Sequence, residues 1–313
     1  MFENKSDFLK HFKSKEFQKV SGPVRGAYGQ LWLVKPKRML SPRISGSGYM
    51  AKILHGSYTP DYAQGYFKNL DSISSMLEDQ FPFFYSRIAM PLAILENEKS
   101  EPVGFLMREF RKGCFYTQNR LQGKTQALQE LKLFLNSRSE RRKFNTPKLS
   151  SRQTIALVGD FLNTLNSLHN RNFVVGDVSA SNLIVQIDPE KPNKPRMIFL
   201  DVDSFSLSTS DFQPAGVDTP LYVVPEHQVQ PNLRPTFQSD VYKAALVIVR
   251  LLSQSSGFEG HSFDLVETEH SNEFLSARGA GFVVEILEQC LSDNPENRPP
   301  IAFLAKAWKE CFA

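Results

Sequence analysis

Three residues in the middle of the chain, Asp177, Asn182 and Asp201, have side-chain oxygen atoms at a spacing that could support catalysis. Asp177 and Asn182 are five residues apart in a polar turn between two apolar, strand-like runs, and the turn therefore holds their side chains together. A third apolar run, residues 197–200, follows a turn with proline and lysine, which predicts a hairpin that brings Asp201 beside this pair. Phosphoryl transfer requires an aspartate that accepts a hydroxyl proton and oxygen ligands for Mg²⁺. A polar turn without catalytic role could carry the same residues.

The order of these residues resembles the catalytic loop and metal-binding strand of the eukaryotic-type protein kinase family, D-x-x-x-x-N followed by D-F-G. The H-R-D of that family corresponds to residues 175–177, Val-Gly-Asp, and its D-F-G corresponds to residues 201–203, Asp-Val-Asp. The amino-acid sequences of these stretches also resemble those of bacterial kinase-like proteins encoded beside tellurite-resistance-type and phosphatase genes.

The resemblance implies a two-lobed α+β fold in a chain of 313 residues. Residues 1–112 would form a small antiparallel β lobe with one helix, which binds the nucleotide and ends in a hinge. Residues 113–313 would form a larger, mainly α-helical lobe with the catalytic loop and the activation segment. The implied cofactors are ATP and Mg²⁺, with Asp177 as the catalytic base and with Asn182 and Asp201 as metal ligands.

Two glycines near the amino terminus, Gly26 and Gly29, are three residues apart and precede an apolar run. This spacing permits a tight turn whose backbone approaches phosphates closely. The stretch resembles the G-x-G-x-x-G-x-V loop of the family, although Val24 stands in place of the first glycine. A hairpin without a ligand can also carry two glycines.

Lys52 lies in a strand-like run and resembles the lysine that binds the ATP phosphates in the V-A-I-K motif of the family. A solvated strand lysine is the alternative. The assignment requires an acidic partner on a helix, and apolar residues at helical spacing predict a helix over residues 66–77. Asp71 falls where the family has its helix glutamate, and Glu78 is the second candidate.

The predicted strand at residues 103–107 leads into a connector at residues 108–110. In the resemblance this connector is the hinge that contacts adenine through its backbone, and Met107 and Glu109 are therefore the candidate contacts. Further along, the charged run at residues 138–143 is interpreted as a solvated face, with a docking site for an acidic partner as the alternative.

The second half of the chain carries motifs that would support the loop. Ser150 and Gln153 predict a capping box at the start of an amphipathic helix, and His169 at its end is interpreted as structural. Residues 219–226 resemble the end of the kinase activation segment. In the resemblance Asp240 accepts hydrogen bonds from the loop backbone, and Arg298 pairs with Glu226.

The resemblance implies an ATP-dependent Ser/Thr protein kinase that transfers the γ-phosphoryl group to protein hydroxyls. One departure is Ser179, which occupies the position of a lysine that commonly neutralises the transferred phosphoryl group. A nucleotide-binding pseudokinase that acts as a scaffold or allosteric regulator is therefore the main alternative. A small-molecule phosphotransferase is a weaker one, because such kinases generally lack a counterpart of residues 219–226.

Composition limits the other function classes. Acidic and basic residues nearly balance, 33 against 37, and the net charge of +4 gives no reason to expect a nucleic-acid partner. The 3 cysteines have no metal-binding spacing, and no apolar run of the sequence reaches membrane-spanning length. Because the first residues mix charges and lack an apolar core segment, we expect no signal peptide. We therefore expect a cytoplasmic protein whose partners are ATP and an unidentified protein substrate or regulator.

Overall fold

The computed structural model describes residues 9–25, 29–37, 48–54, 60–110, 113–120, 123–212, 214, 218–256 and 265–312. The chain divides into two compact units, residues 1–110 and 111–313. Its elements are of the α+β class, which confirms that part of the prediction. The predicted boundary at residue 112 lies close to this division, and the roles assigned to the two units stay predictions.

The first unit is built around a six-stranded sheet with the strand order β1-β5-β6-β4-β3-β2. Its described elements are β1 (Lys10–Lys13), β2 (Phe17–Arg25), β3 (Gly29–Pro36), β4 (Tyr49–Leu54), α1 (Pro60–Met76), α2 (Phe81–Tyr85), β5 (Pro91–Glu96) and β6 (Pro102–Arg108). The predicted inner face of α1 is confirmed, because Leu70 and Ile73 are fully buried, as is Leu77 directly after the helix. Alternation of apolar residues likewise buries Tyr49 and Ala51 of β4 in the core of the sheet.

The prediction of an antiparallel sheet with one helix is wrong in two respects. Strand β1 pairs in parallel with β5, so the sheet is mixed, and the short helix α2 follows α1. Strand β1 has a single apolar residue, Phe12, among four, and its sequence therefore gives no alternating pattern. Long-range contacts hold it in place: His11 and Lys13 both bond to Glu96 of β5, at 2.7 and 2.9 Å.

The second unit combines helices with short hairpins. Its described elements are β7 (Phe115–Arg120), β8 (Gly123–Leu128), α3 (Leu131–Phe134), α4 (Arg138–Phe144), α5 (Ser151–His169), β9 (Phe173–Val174), β10 (Leu183–Gln186), β11 (Arg196–Phe199), β12 (Ser206–Leu207), α6 (Pro225–Val229), α7 (Phe237–Ser256), α8 (Leu265–Ser276), α9 (Gly281–Cys290) and α10 (Ile301–Phe312). Among the helices of the described ranges, none is both long and apolar enough to cross a membrane.

Helices α5 and α7 form the interior of this unit. The predicted capping box starts α5, because Ser150 Oγ accepts from the amide of Gln153 and the Gln153 side chain accepts from the amide of Ser150. The apolar face of α5 buries Leu162, Leu165 and Leu168. Helix α10 packs against α5, and the indole of Trp308 in α10 donates to a carbonyl of α5.

Two antiparallel hairpins differ in how well the sequence predicts them. Strands β10 and β11 pair over four residues each, which confirms the predicted hairpin before Asp201. Strands β7 and β8 also pair, in a stretch whose polar composition gave no strand signal. The charged run that follows forms α4, in which Arg142 and Lys143 are exposed, but Arg141 donates to the side chain of Gln254 at 2.9 Å. The solvated-face interpretation therefore holds for only part of this run.

Candidate functional site

The turn that carries Asp177 is held from below by Asp240 of α7. The fully buried Asp240 carboxylate accepts hydrogen bonds from the amides of Val175, at 2.7 Å, and Gly176, at 2.9 Å. His169, at the end of α5, lies 3.1 Å from the same carboxylate through Nε2. Both the predicted acceptor role of Asp240 and the structural role of His169 are confirmed, because two helices converge on the backbone just before Asp177.

The carboxylate of Asp177 is surrounded by hydrogen-bond donors. Asn182 Nδ2 donates to Oδ2 of Asp177 at 2.7 Å and to its main-chain carbonyl at 3.1 Å. Thr219 Oγ1 lies 2.9 Å from Oδ1 and 3.0 Å from Oδ2, and the amide of Thr219 donates to Oδ1 at 3.3 Å. The structure therefore brings together two predicted residues, Asp177 and Asn182, and adds a hydroxyl group from the predicted activation segment.

Burial raises the pKa of Asp177 above its ordinary value. The positive charge of Lys243 and the hydrogen bonds from Thr219 and Asn182 act in the opposite direction and limit the increase. A carboxylate with a raised pKa in a polar, partly enclosed site is typical of groups that accept protons in catalysis.

Asp201 lies in the turn adjacent to the one that carries Asp177. The amide of Leu200 donates to the carbonyl of Asn182 at 2.8 Å, and Ser204 Oγ donates to the carbonyls of Val175 and Asp201 at 2.8 and 2.9 Å. Asp201 is exposed, and its backbone is in the left-handed region with φ 46°. One backbone hydrogen bond and the Ser204 side chain therefore tie the two turns together and hold Asp201 at the end of β11.

Gly176 has a backbone conformation that explains why glycine stands where the kinase resemblance has arginine. Its φ is +80°, and a Cβ atom at this position would lie 2.9 Å from the carbonyl oxygen of Ser204. Any larger residue would be strained and would push the two turns apart. The sequence alone gave the departure from the family pattern but not this reason for it.

A lysine that sequence reasoning missed joins the two segments that meet at Asp177. Lys243 of α7 is fully buried, and its Nζ donates to the carbonyl of Gly176 and to Oδ1 of Asp218, both at 2.5 Å. The second oxygen of Asp218 lies 2.7 Å from Nδ1 of the buried His227. The available signal was a lysine within a helix whose sequence is apolar enough to be buried, where an unpaired charge is costly.

The carboxyl-terminal part of the predicted activation segment is fixed by an ion pair. Arg298 donates to both carboxylate oxygens of Glu226, at 2.8 Å each, which confirms the predicted pair. Burial would raise the pKa of Glu226, but the hydrogen bonds and charge of Arg298 outweigh it, and the pKa is lowered. Such a two-point contact sets both the position and the orientation of the segment.

Ser179, the position at which the resemblance expects a lysine, is fully buried. Its hydroxyl group forms no hydrogen bond within the described ranges. A side chain of this size and burial carries no charge to a phosphoryl group. The departure noted in the sequence therefore remains when the fold is known.

The first unit carries the residues that were predicted to bind the nucleotide. Gly26 lies outside the described residues. Gly29 begins β3, and a Cβ atom there would lie 2.5 Å from the carbonyl oxygen of Ile53, so the close approach of β4 alone accounts for this glycine. Lys52 lies in β4 and is 8% exposed, which excludes the alternative of a fully solvated strand lysine.

The other candidates of the first unit lie in α1 and around the end of β6. Asp71 accepts a hydrogen bond from the amide of Leu9 at 2.6 Å, and Glu78 begins the short helical turn after α1. Met107 is buried in β6, and Glu109 is exposed just after this strand. Their assignment to nucleotide binding stays a prediction.

Asn182 and Asp201 are chemically suited to share a magnesium ion. The amide nitrogen of Asn182 donates to Asp177, so the amide oxygen is the atom of this side chain that could bind a metal ion. Within the described part of the chain, no group of three or more His, Cys, Asp or Glu residues could hold a metal ion. Mg²⁺ needs no such group when a carboxylate and the phosphates of a substrate supply its ligands.

Comparison with known proteins provides no relative from which a function could be inferred. No family model matches the chain, and no curated protein is significantly similar to it. The functional assignment therefore depends on the residues of the chain itself.

Proposed function

We propose that this protein is an ATP-dependent Ser/Thr protein kinase. The observation that carries the proposal is the set of short hydrogen bonds around Asp177, in which Asn182 and Thr219 donate to its two carboxylate oxygens. This arrangement places a half-buried carboxylate, an amide and a hydroxyl within one hydrogen-bonded group, next to the turn that carries Asp201. The same groups in the same chain order make up the family motif that the sequence resembles.

Each residue has a distinct role in the proposed reaction. Asp177 orients the acceptor hydroxyl and takes its proton as the γ-phosphoryl group is transferred. Asn182 and Asp201 would hold Mg²⁺, which when bound neutralises charge on the ATP phosphates. Lys52 is assigned to the phosphates as well. Asp177 need only be a weak base, because the hydroxyl becomes acidic as its bond to phosphorus forms.

Thr219 supports a serine or threonine acceptor. Its hydroxyl lies within 3.0 Å of both oxygens of Asp177, which demonstrates that an aliphatic hydroxyl fits in hydrogen-bonding contact with this carboxylate. An acceptor hydroxyl beside Thr219 could donate to the same carboxylate, because the two oxygens of a carboxylate accept about four hydrogen bonds. Proximity of this kind between the base and the acceptor is a major part of the rate enhancement in phosphoryl transfer.

Ser179 favours a second candidate, a nucleotide-binding pseudokinase that acts as a scaffold. The buried serine leaves the loop without the lysine expected from the resemblance. Removal of one transition-state donor lowers rates by about 10² to 10³, which slows an enzyme without abolishing its activity. The two candidates differ in whether phosphate is transferred.

The test is phosphoryl transfer by the purified protein and by its Asp177→Asn variant. Both are incubated with labelled ATP, Mg²⁺ and generic protein substrates, and incorporated label is measured. We expect transfer by the wild type and a loss of about 10² to 10⁴ in rate for the variant, because it lacks the proton acceptor.

Asp188→Asn is the matched control. Asp188 follows β10 in the same unit, and its side chain accepts a hydrogen bond from the amide of Glu190, as an asparagine side chain can also do. Its rate should equal that of the wild type. Equal, negligible transfer by the wild type and Asp177→Asn, together with thermal stabilisation by ATP, would contradict the kinase proposal and favour the scaffold.

A further inference from the structure

Lys243 occupies a position that the proposed reaction does not explain. It belongs to α7, in which most residues next to Lys243 are buried and apolar. The side chain of Lys243 itself has no exposed surface. A charge in such a place is strongly disfavoured unless it is paired and hydrogen bonded. Lys243 meets this condition through two oxygen atoms that come from different parts of the chain.

The two acceptors lie directly before the two residues that form the core of the candidate site. The carbonyl of Gly176 precedes Asp177, and the side chain of Asp218 precedes Thr219. Asp177 and Thr219 are in turn hydrogen bonded to each other. Lys243 therefore closes a ring of contacts in which one ammonium group holds the catalytic turn and the following segment at a fixed separation.

We propose that Lys243 is a positioning residue, which clamps the turn of Asp177 to the segment of Thr219 and thereby sets the geometry of the candidate catalytic carboxylate. The inference rests on the proposed function for its catalytic consequence, but the clamp itself does not. His227 supports the clamp from the other side, because its Nδ1 lies 2.7 Å from the second oxygen of Asp218 and fixes the orientation of that carboxylate.

The clamp predicts a specific effect of Lys243→Met. Methionine fills a similar volume but cannot donate to Gly176 or Asp218. Hydrogen exchange of the amides in residues 175–182 and 218–222 should accelerate about tenfold or more, since a hydrogen bond to a charged group is lost in each segment. In the kinase assay kcat should fall about 10²-fold while the KM for ATP stays within about twofold, because the carboxylate is displaced but nucleotide binding is not altered.

Two further variants separate the clamp from general destabilisation. Arg250→Met removes another buried cation of α7, one that donates a hydrogen bond to the hydroxyl of Tyr222, and it should leave exchange in residues 175–182 unchanged. The double variant Lys243→Met/Asp218→Asn removes both partners of the buried ion pair, so that it folds even if the single variant does not. Its exchange should rise in both segments.

The readouts distinguish failure of the clamp from failure of the proposed function. Faster exchange in both segments supports the clamp even if the wild type transfers no phosphate, in which case only the kinase proposal fails. Exchange at the wild-type rate in both segments of a folded Lys243→Met or double variant overturns the clamp, whatever the activity. A wild-type kcat in the folded variant overturns the catalytic consequence.

Discussion

Gly176 determines the shape of the turn that carries Asp177 through its backbone conformation alone. Its amide donates to Asp240 and its carbonyl accepts from Lys243, while its φ of +80° lies in the left-handed region. Both polar groups of the peptide are thus fixed by buried charges on α7. This arrangement sets the direction of the backbone at the next residue, Asp177. The glycine at position 176 therefore has a structural role even though it has no side chain.

We predict that Gly176→Ala destabilises the protein. A left-handed backbone costs an L-residue about 1–2 kcal/mol, and the contact of the new Cβ with the carbonyl of Ser204, at 2.9 Å, adds to this penalty. The free energy of unfolding, measured by chemical denaturation, should fall by at least about 1 kcal/mol.

Gly281→Ala is the control for this substitution. Gly281 begins α9, and among the described residues no atom outside its chain neighbours and its own helix backbone lies within 4 Å of the place where its Cβ would be. Alanine there should leave stability unchanged or raise it by up to about 1 kcal/mol. Equal changes in the free energy of unfolding for Gly176→Ala and Gly281→Ala would contradict the prediction, because they would show that a side chain at residue 176 does not strain the backbone.

Helix α5 begins at a capping box and ends beside the residues that hold the turn of Asp177. The capping box of Ser150 and Gln153 fixes where the helix begins, and Gln153 Nε2 also donates to the carbonyl of Pro192 at 2.8 Å. The last residue, His169, contacts the carboxylate of Asp240. The register of α5 thus connects the cap to the residues that hold the loop.

We expect Ser150→Ala to weaken α5. Loss of a serine cap costs about 1 kcal/mol, because an amide in the first turn loses its acceptor. For a unit of this size the melting temperature should fall by about 2–4 °C, measured by circular dichroism or calorimetry. Ser167→Ala in the same helix is the comparison: Ser167 donates to the carbonyl of Asn163 within α5, and its loss should change stability by less than about 0.5 kcal/mol. Similar losses for both would argue against the capping role.

Across the second unit, Arg298 connects parts of the chain that are far apart in sequence. It bonds to Glu226 in α6, to the carbonyl of Gln238 in α7, and to the carbonyl of Ser292 before α10. The side chain is fully buried. One guanidinium group therefore joins the predicted activation segment to the helical core.

We predict that Glu226→Gln destabilises the protein by about 1.5–3 kcal/mol near neutral pH, the contribution of hydrogen bonds to charged groups. The folded-state pKa of Glu226 is lowered from its ordinary value of 4.5. The contribution of the ionised carboxylate is therefore fully present above about this value and is lost as the pH falls through the folded-state pKa. Denaturation curves of the wild type and the variant should converge in that acidic range.

Glu296→Gln serves as the control for this pH dependence. Glu296 is exposed near Arg298, and the hydrogen bond that its residue makes to Asn294 comes from its backbone. Its stability should match that of the wild type at neutral pH. A constant difference between wild type and Glu226→Gln down to acidic pH would contradict the ionic contribution of the pair.

The elements that the sequence predicted well are those whose signal is local. The apolar spacing of α1, the capping box of α5 and the hairpin of β10 and β11 each depend on residues close together in the chain, and each is observed. The pairing of Arg298 with Glu226 was also anticipated, but from a resemblance to a family pattern. The roles of the site residues stay predictions that the proposed assays test.

Local sequence patterns could not predict contacts between segments that are far apart in the chain. Strand β1 pairs in parallel with β5, and the side chains that join the two strands are 83 and 85 positions apart in the chain. The sequence of this short, charged strand has no periodic pattern that would predict the pairing. Lys243 reaches Gly176 across 67 positions and Asp218 across 25, and its partners depend on how α7 packs beneath the loop. The sequence by itself determines side-chain chemistry and local periodicity, because both depend on residues that are close together in the chain. Only the tertiary structure determines the neighbours of a buried charge, because these residues meet when the helices pack.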